Sequence, residues 1–157
     1  HGLHVCATTR NPAKEQALRD NGVDEVFIDD GHIAATVRRQ FPQGIDCVLE
    51  LVGTTTLKDS LHTCRAKGVV CMTGILGNSW EFERFAPMDE IPHAVRLTVY
   101  SGGAEDLDIE ALQQFLGELE RGEAEVNIDR VFAFDELVEA HEYMESNRAK
   151  GKLVVRQ

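Results

Sequence analysis

The 157-residue chain reads as an α/β fold, a doubly wound and mostly parallel sheet, on three observations. Two apolar runs, Ile45-Asp46-Cys47-Val48-Leu49-Glu50-Leu51-Val52-Gly53 and Gly68-Val69-Val70-Cys71-Met72-Thr73-Gly74, are joined by one helix-length segment. Each is too short to span a membrane and too apolar for a half-exposed strand, which is how neighbouring buried parallel strands read. Each ends in glycine, where a chain can approach a ligand closely. The third observation is a regular alternation of strand-like and helix-like segments with short links, the pattern of right-handed βαβ units. Such sheets bind ligands at the carboxyl ends of their strands, where these glycines fall.

Leu3 to Thr8 opens as a strand. Asn11-Pro12 supplies a helix cap with proline in the first turn, and Ala13 to Asp20 continues the helix until Asn21-Gly22 stops it. Val26 to Ile28 is a second strand, and Ile33 to Phe41 a helix ended by Pro42 and Gly44. The strand Ile45 to Val52, a helix Thr56 to Ala66 and the strand Val69 to Thr73 follow. Between Gly74 and Pro92 the periodicity lapses, which predicts an irregular loop. Val95 to Tyr100 returns to a strand, Ile109 to Glu120 to an amphipathic helix, Val131 to Phe134 to a strand, Asp135 to Ser146 to a helix, and Lys152 to Val155 to a closing strand. The length suits one domain.

With 27 acidic against 16 basic residues the net charge is −11, which opposes binding to nucleic acid or to anionic membranes. No stretch reaches the roughly 20 apolar residues of a membrane span, and the start has no signal-peptide pattern. Cys6, Cys47, Cys64 and Cys71 are scattered, three of them inside apolar runs, and have no zinc spacing. They read as reduced, mostly buried thiols of a cytoplasmic protein. His32, His62, His93 and His141 likewise show no metal spacing; no metal site is expected.

A dinucleotide-binding sheet opens with a strand, a glycine-rich turn and a helix whose N-terminus receives the pyrophosphate. This sequence begins at His1-Gly2-Leu3 without that turn, as expected of a domain lacking its first strand-helix unit, or of another doubly wound family that has no such unit. Thr8, Thr9, Arg10 and Lys14 then bring hydroxyls and cations, and no acid, to the end of the first strand. An acid there bonds the ribose 2'-hydroxyl of NAD, whereas a 2'-phosphate calls for hydroxyls and cations. The plainer reading is a solvated first helical turn.

Taken together, Val5 to Lys14, Gly22 to Val26, Gly44 to Gly53, Lys67 to Val70 and Ala140 to Val155 occur in an order that resembles the cofactor-binding domain of the medium-chain dehydrogenase/reductase superfamily. Within it the chain is most similar to the zinc-independent quinone oxidoreductases related to zeta-crystallin. The resemblance implies a Rossmann-like NADP(H) domain without the accompanying GroES-like catalytic domain, from an enzyme passing hydride to a quinone or another activated carbonyl or alkene. Thr9, Arg10 and Lys14 match the segment holding the 2'-phosphate. Val52, Gly53 and Thr54 match the strand end beside ribose and pyrophosphate; Thr73, Gly74, Ile75 and Leu76, with Gly77 behind them, match the nicotinamide side. Leu97, Thr98 and Val99 match the next strand facing that pocket, and Asn147 and Lys152 a C-terminal turn that reaches the cofactor. Asp29-Asp30 departs from relatives that carry a tyrosine near the adenine. The partner implied is a small-molecule substrate, with a homodimer formed through the edge strand near Val95 to Tyr100. Other readings are a zinc-type alcohol dehydrogenase, an enoyl reductase, or a dimerisation module without catalysis.

Three further groups remain open on sequence. Glu50 is either an oriented catalytic acid or a strand-end carboxylate satisfied by backbone donors. Trp80, Phe82 and Phe85 either line a pocket for a flat aromatic acceptor or fold onto their own loop. Glu105, Asp106, Asp108 and Glu110 favour a helix start.

Overall fold

The computed structural model describes residues 2–146 and 148–157. Its contacts divide it into two compact units, one ending at Gly102 and the other Gly103–Gln157. Among the described residues the strand pairings are parallel, as the alternation predicts.

In the first unit β1 (Cys6–Thr9) leads through a single 3₁₀ turn, Pro12–Lys14, into α1 (Glu15–Asp20). Asn11 starts that turn: its side chain accepts from the Ala13 amide at 3.0 Å, satisfying a donor the helix cannot. β2 (Glu25–Ile28) pairs with β1, and α2 (Ala34–Gln40) follows. β3 (Ile45–Glu50), α3 (Thr54–Thr63) and β4 (Cys64–Met72) form the central βαβ unit. A short helix, α4 (Pro87–Glu90), interrupts the loop before β5 (Arg96–Val99).

The strands of this unit form two hydrogen-bonded groups, β1-β2 and β3-β4-β5. Hydrogen bonds through α2 and α3 tie them. The Ala34 amide donates to Asp59 Oδ2 at 2.9 Å, Arg38 Nε donates to the His62 carbonyl at 3.0 Å, and Arg38 Nη2 donates to the Cys64 carbonyl.

α3 covers one face of β3 and β4. Leu57, Leu61, Cys64, Val70 and Val95 make the core, with Val48, Met72, Phe82, Ile91 and Leu97 packed against it. The opposite face departs from expectation. Cys47 is exposed and Leu49 retains 65% of its surface. Because side chains alternate along a strand, Cys47 and Leu49 point away from α3, so β3 is half-exposed despite its composition. The same alternation corrects the expected burial of the cysteines: Cys64 is buried, Cys6 and Cys71 are intermediate and Cys47 is exposed.

The helix expected over Thr56 to Ala66 starts and stops earlier. Arg38 takes up carbonyls at its C-terminal end, and Cys64 turns extended to pair with Ile45.

In the second unit α5 (Ile109–Glu120) is capped by Asp108, which accepts from the Ala111 amide at 3.0 Å. β6 (Ile128–Ala133) pairs with β7 (Lys152–Arg156), and α6 (Leu137–Glu145) packs on both, with Phe132 of β6 and Ala140 of α6 buried.

Candidate nucleotide site at the carboxyl ends of the strands

The chain leaves β3 through Leu51 and Val52 and enters α3 at Thr54. Gly53 makes this corner with φ +98° and ψ −147°, a conformation open to glycine and strained for other residues. The corner is held from beneath by Glu50, 4% exposed. Its Oε1 accepts from the Val52 amide at 2.8 Å, the Gly53 amide at 3.1 Å and Thr56 Oγ1 at 3.0 Å, while Ser60 Oγ donates to Oε2. Glu50 is therefore the satisfied strand-end carboxylate of the two sequence readings. Its partners Thr56 and Ser60 were not picked out from sequence, although they lie four residues apart on one face of α3.

The end of β4 is laced to this corner. The Thr73 amide donates to the Glu50 carbonyl at 2.9 Å, the Leu76 amide to Leu51 at 3.1 Å, and the Gly77 amide to Val52 at 2.7 Å. Thr54 Oγ1 donates to the Ser79 carbonyl at 2.8 Å. These contacts sharpen the role of the glycines. A Cβ on Gly53 would sit 3.1 Å from the Gly74 carbonyl oxygen, and one on Gly74 would overlap the Leu51 backbone. Glycine is required here for the two strand ends to pack on each other.

Val52, Gly53, Thr54, Thr73, Gly74, Ile75 and Leu76 are thus brought together on one edge; Leu76 is 78% exposed, the others half-buried or buried. Of the expected residues on β5, Leu97 turns into the core under α3, whereas Thr98 and Val99 are exposed.

Thr8, Thr9, Arg10 and Lys14 gather at the carboxyl end of β1. Thr9 Oγ1 accepts from the Asn11 amide at 3.2 Å, closing a local turn. The guanidinium of Arg10 is exposed and makes no hydrogen bond or ion pair among the described residues. Asp29 and Asp30 lie beside this end, where the Asp29 amide donates to the Thr9 carbonyl at 2.9 Å. Both carboxylates are engaged locally, by the Gly31 amide at 2.7 Å and the His32 amide at 3.0 Å. A 2'-phosphate fits this donor set: an uncompensated cation and hydroxyls, with the nearby acids turned to their own turn. Lys152 stands in the second unit at the amino end of β7, in a surface hollow with Phe115 and Val126. Asn147 lies outside the described residues.

Among the described residues no group of three or more His, Cys, Asp or Glu side chains is arranged to hold a metal ion. No described helix is long and apolar enough to cross a membrane. Burial pushes the Cys64 thiol up from its ordinary value.

Residues 21–155 match the family model described as zinc-binding dehydrogenase. The chain belongs to this dehydrogenase family. Solved structures share the fold. AibC is 25% identical with a TM-score of 0.80, over 99% of this chain and 43% of that one. A quinone oxidoreductase of Pseudomonas syringae pv. Tomato DC3000 is 17% identical, TM-score 0.82, over 99% and 50%. A mycobacterial protein complexed with NADPH is 21% identical, TM-score 0.79, over 99% and 50%. The dehydrogenase chain thus spans about half the length of these structures, and they share its Rossmann-like domain. No curated protein matched.

Proposed function

We propose that this dehydrogenase domain holds NADPH in an enzyme that passes hydride to a quinone or another activated carbonyl or alkene. The observation that supports it is the end of β1, where an unpartnered Arg10 and two threonines stand in place of the acid that an NAD ribose would use. When bound, the reduced nicotinamide supplies a hydride, and a quinone takes it together with one proton from solvent to become the hydroquinone. Arg10 offers the 2'-phosphate a charge-assisted pair, while the Gly53 corner and the Gly74–Leu76 turn supply a rigid wall at the strand ends. Two copies pair through the outer edge of β5.

The test titrates NADPH and NADH against the intact protein by nucleotide fluorescence. NADPH binds more tightly, and Arg10→Ala weakens NADPH by about tenfold to a hundredfold, the loss of one hydrogen bond to a charged group, while NADH is unchanged. Equal affinities in the parent protein, or an Arg10→Ala variant that binds NADPH normally, overturns the NADP reading.

A further inference from the structure

The loop after Gly74 divides its three aromatic residues in a way the sequence left open. Phe82 packs against the core and stacks on Phe85, ring centres 5.2 Å apart and 19° from parallel. Lys58 fastens this pair: its Nζ lies 5.3 Å from the Phe82 ring centre, pairs with Glu90 at 2.7 Å and donates to the Arg84 carbonyl at 3.2 Å. Phe82 and Phe85 are the loop's own core.

Trp80 is excluded from it. The indole is 78% exposed, as is Leu76, on a segment held on both sides of it. Leu76 and Gly77 are tied to the Leu51 and Val52 carbonyls, Ser79 to Thr54, and Phe82 to the core, so Trp80 is held on both sides within two residues. An exposed tryptophan on a mobile loop says little; one clamped into water beside a ligand-binding strand end presents a flat apolar surface at a defined place.

We infer that Trp80 is a specificity-determining residue, the platform on which a planar aromatic acceptor such as a quinone stacks beside the nicotinamide end of the site. The inference rests on the oxidoreductase reading above and adds the acceptor class. An aromatic face attracts aromatic rings more than small aliphatic enones, so the residue sorts acceptors.

The test compares an aromatic quinone with a small aliphatic enone on the intact protein, its Trp80→Phe and its Trp80→Ala variants. Trp80→Ala raises KM for the quinone about tenfold and leaves its kcat, the enone parameters and the NADPH KM unchanged; Trp80→Phe restores most of the loss. The emission difference between the parent protein and Trp80→Phe reports the indole itself, and the quinone quenches it. Normal NADPH turnover with an unaltered quinone-to-enone ratio in Trp80→Ala overturns the inference and leaves the cofactor reading standing. So does an indole that soluble quenchers cannot reach, since another part of the protein would then cover it. No turnover with either acceptor overturns the oxidoreductase reading and this inference with it.

Discussion

Glu50→Ala removes one side chain and strands several donors. The Gly53 amide and the Ser60 hydroxyl are buried, and a buried donor without an acceptor costs about 1–3 kcal/mol. Thr56 Oγ1 keeps a partial alternative in the Gly53 carbonyl at 3.4 Å, and half-buried Val52 has some access to water. Against these losses stands the relief of a carboxylate no longer held away from solvent. The net expectation is about 3 kcal/mol, a large share of the roughly 5–15 kcal/mol of a typical domain. Glu50→Gln preserves the shape and an acceptor for the two amides, and its NH₂ donates to Ser60, so it costs about 1 kcal/mol. Urea unfolding of the intact protein, with midpoints compared at equal slope, reads both numbers. An alanine variant within about 0.5 kcal/mol of the parent, the range of ordinary surface changes, would refute the account, as would a glutamine variant as damaged as alanine.

Gly74→Ala pushes a methyl into the Leu51 backbone; it destabilises by about 1–3 kcal/mol as an overpacking change, and weakens NADPH binding in the same titration by spreading the strand ends. Burial raises the Cys64 thiol above its ordinary 9.0, so the unfolded chain releases this proton first. Stability is full below pH 9.0 and falls as pH rises from there through the folded value, a slope that urea midpoints on either side should show and Cys64→Ala should flatten. Val99, 66% exposed at the end of β5, tests the proposed pairing: Val99→Lys places a charge on that strand edge, and light scattering is expected to show a dimer for the parent protein and a monomer for the variant, without loss of thermal stability; a parent protein that is already monomeric overturns the pairing.

Most of the architecture was legible because it rests on local patterns. Asn11-Pro12 marks a helix start through its own hydrogen bond, Asp108 caps Ile109–Glu120 as its position suggests, and the two glycine-ended runs declare a parallel pair. What was not legible depends on residues distant in sequence. Arg65 and Ala66 have the propensity of a continuing helix, yet Arg38, some 26 residues earlier, takes the carbonyls there and the chain turns into β4. The exposure of Cys47 and Leu49 is likewise invisible to composition, since the face a strand buries depends on which side its helix crosses. The Glu50 network needed the rotation of α3 to be known before Thr56 and Ser60 became its partners, and Trp80 parted from Phe82 only once Lys58 was seen to claim the latter. The gathering of Val52–Thr54 with Thr73–Leu76 was expected; that their glycines serve backbone-to-backbone packing was not.

The passage of Arg38 to the end of α3 has a bearing on motion as well as on shape. β1-β2, which carries Arg10, and β3-β4-β5, which carries the Gly53 corner, share no ladder hydrogen bonds among the described residues; Arg38 and Asp59 join them from α2 and α3. Removing the guanidinium with Arg38→Ala is expected to raise amide exchange in β1 and β2 more than in β4, beside the core. A nucleotide bound at both strand ends would lower the rates of both groups together.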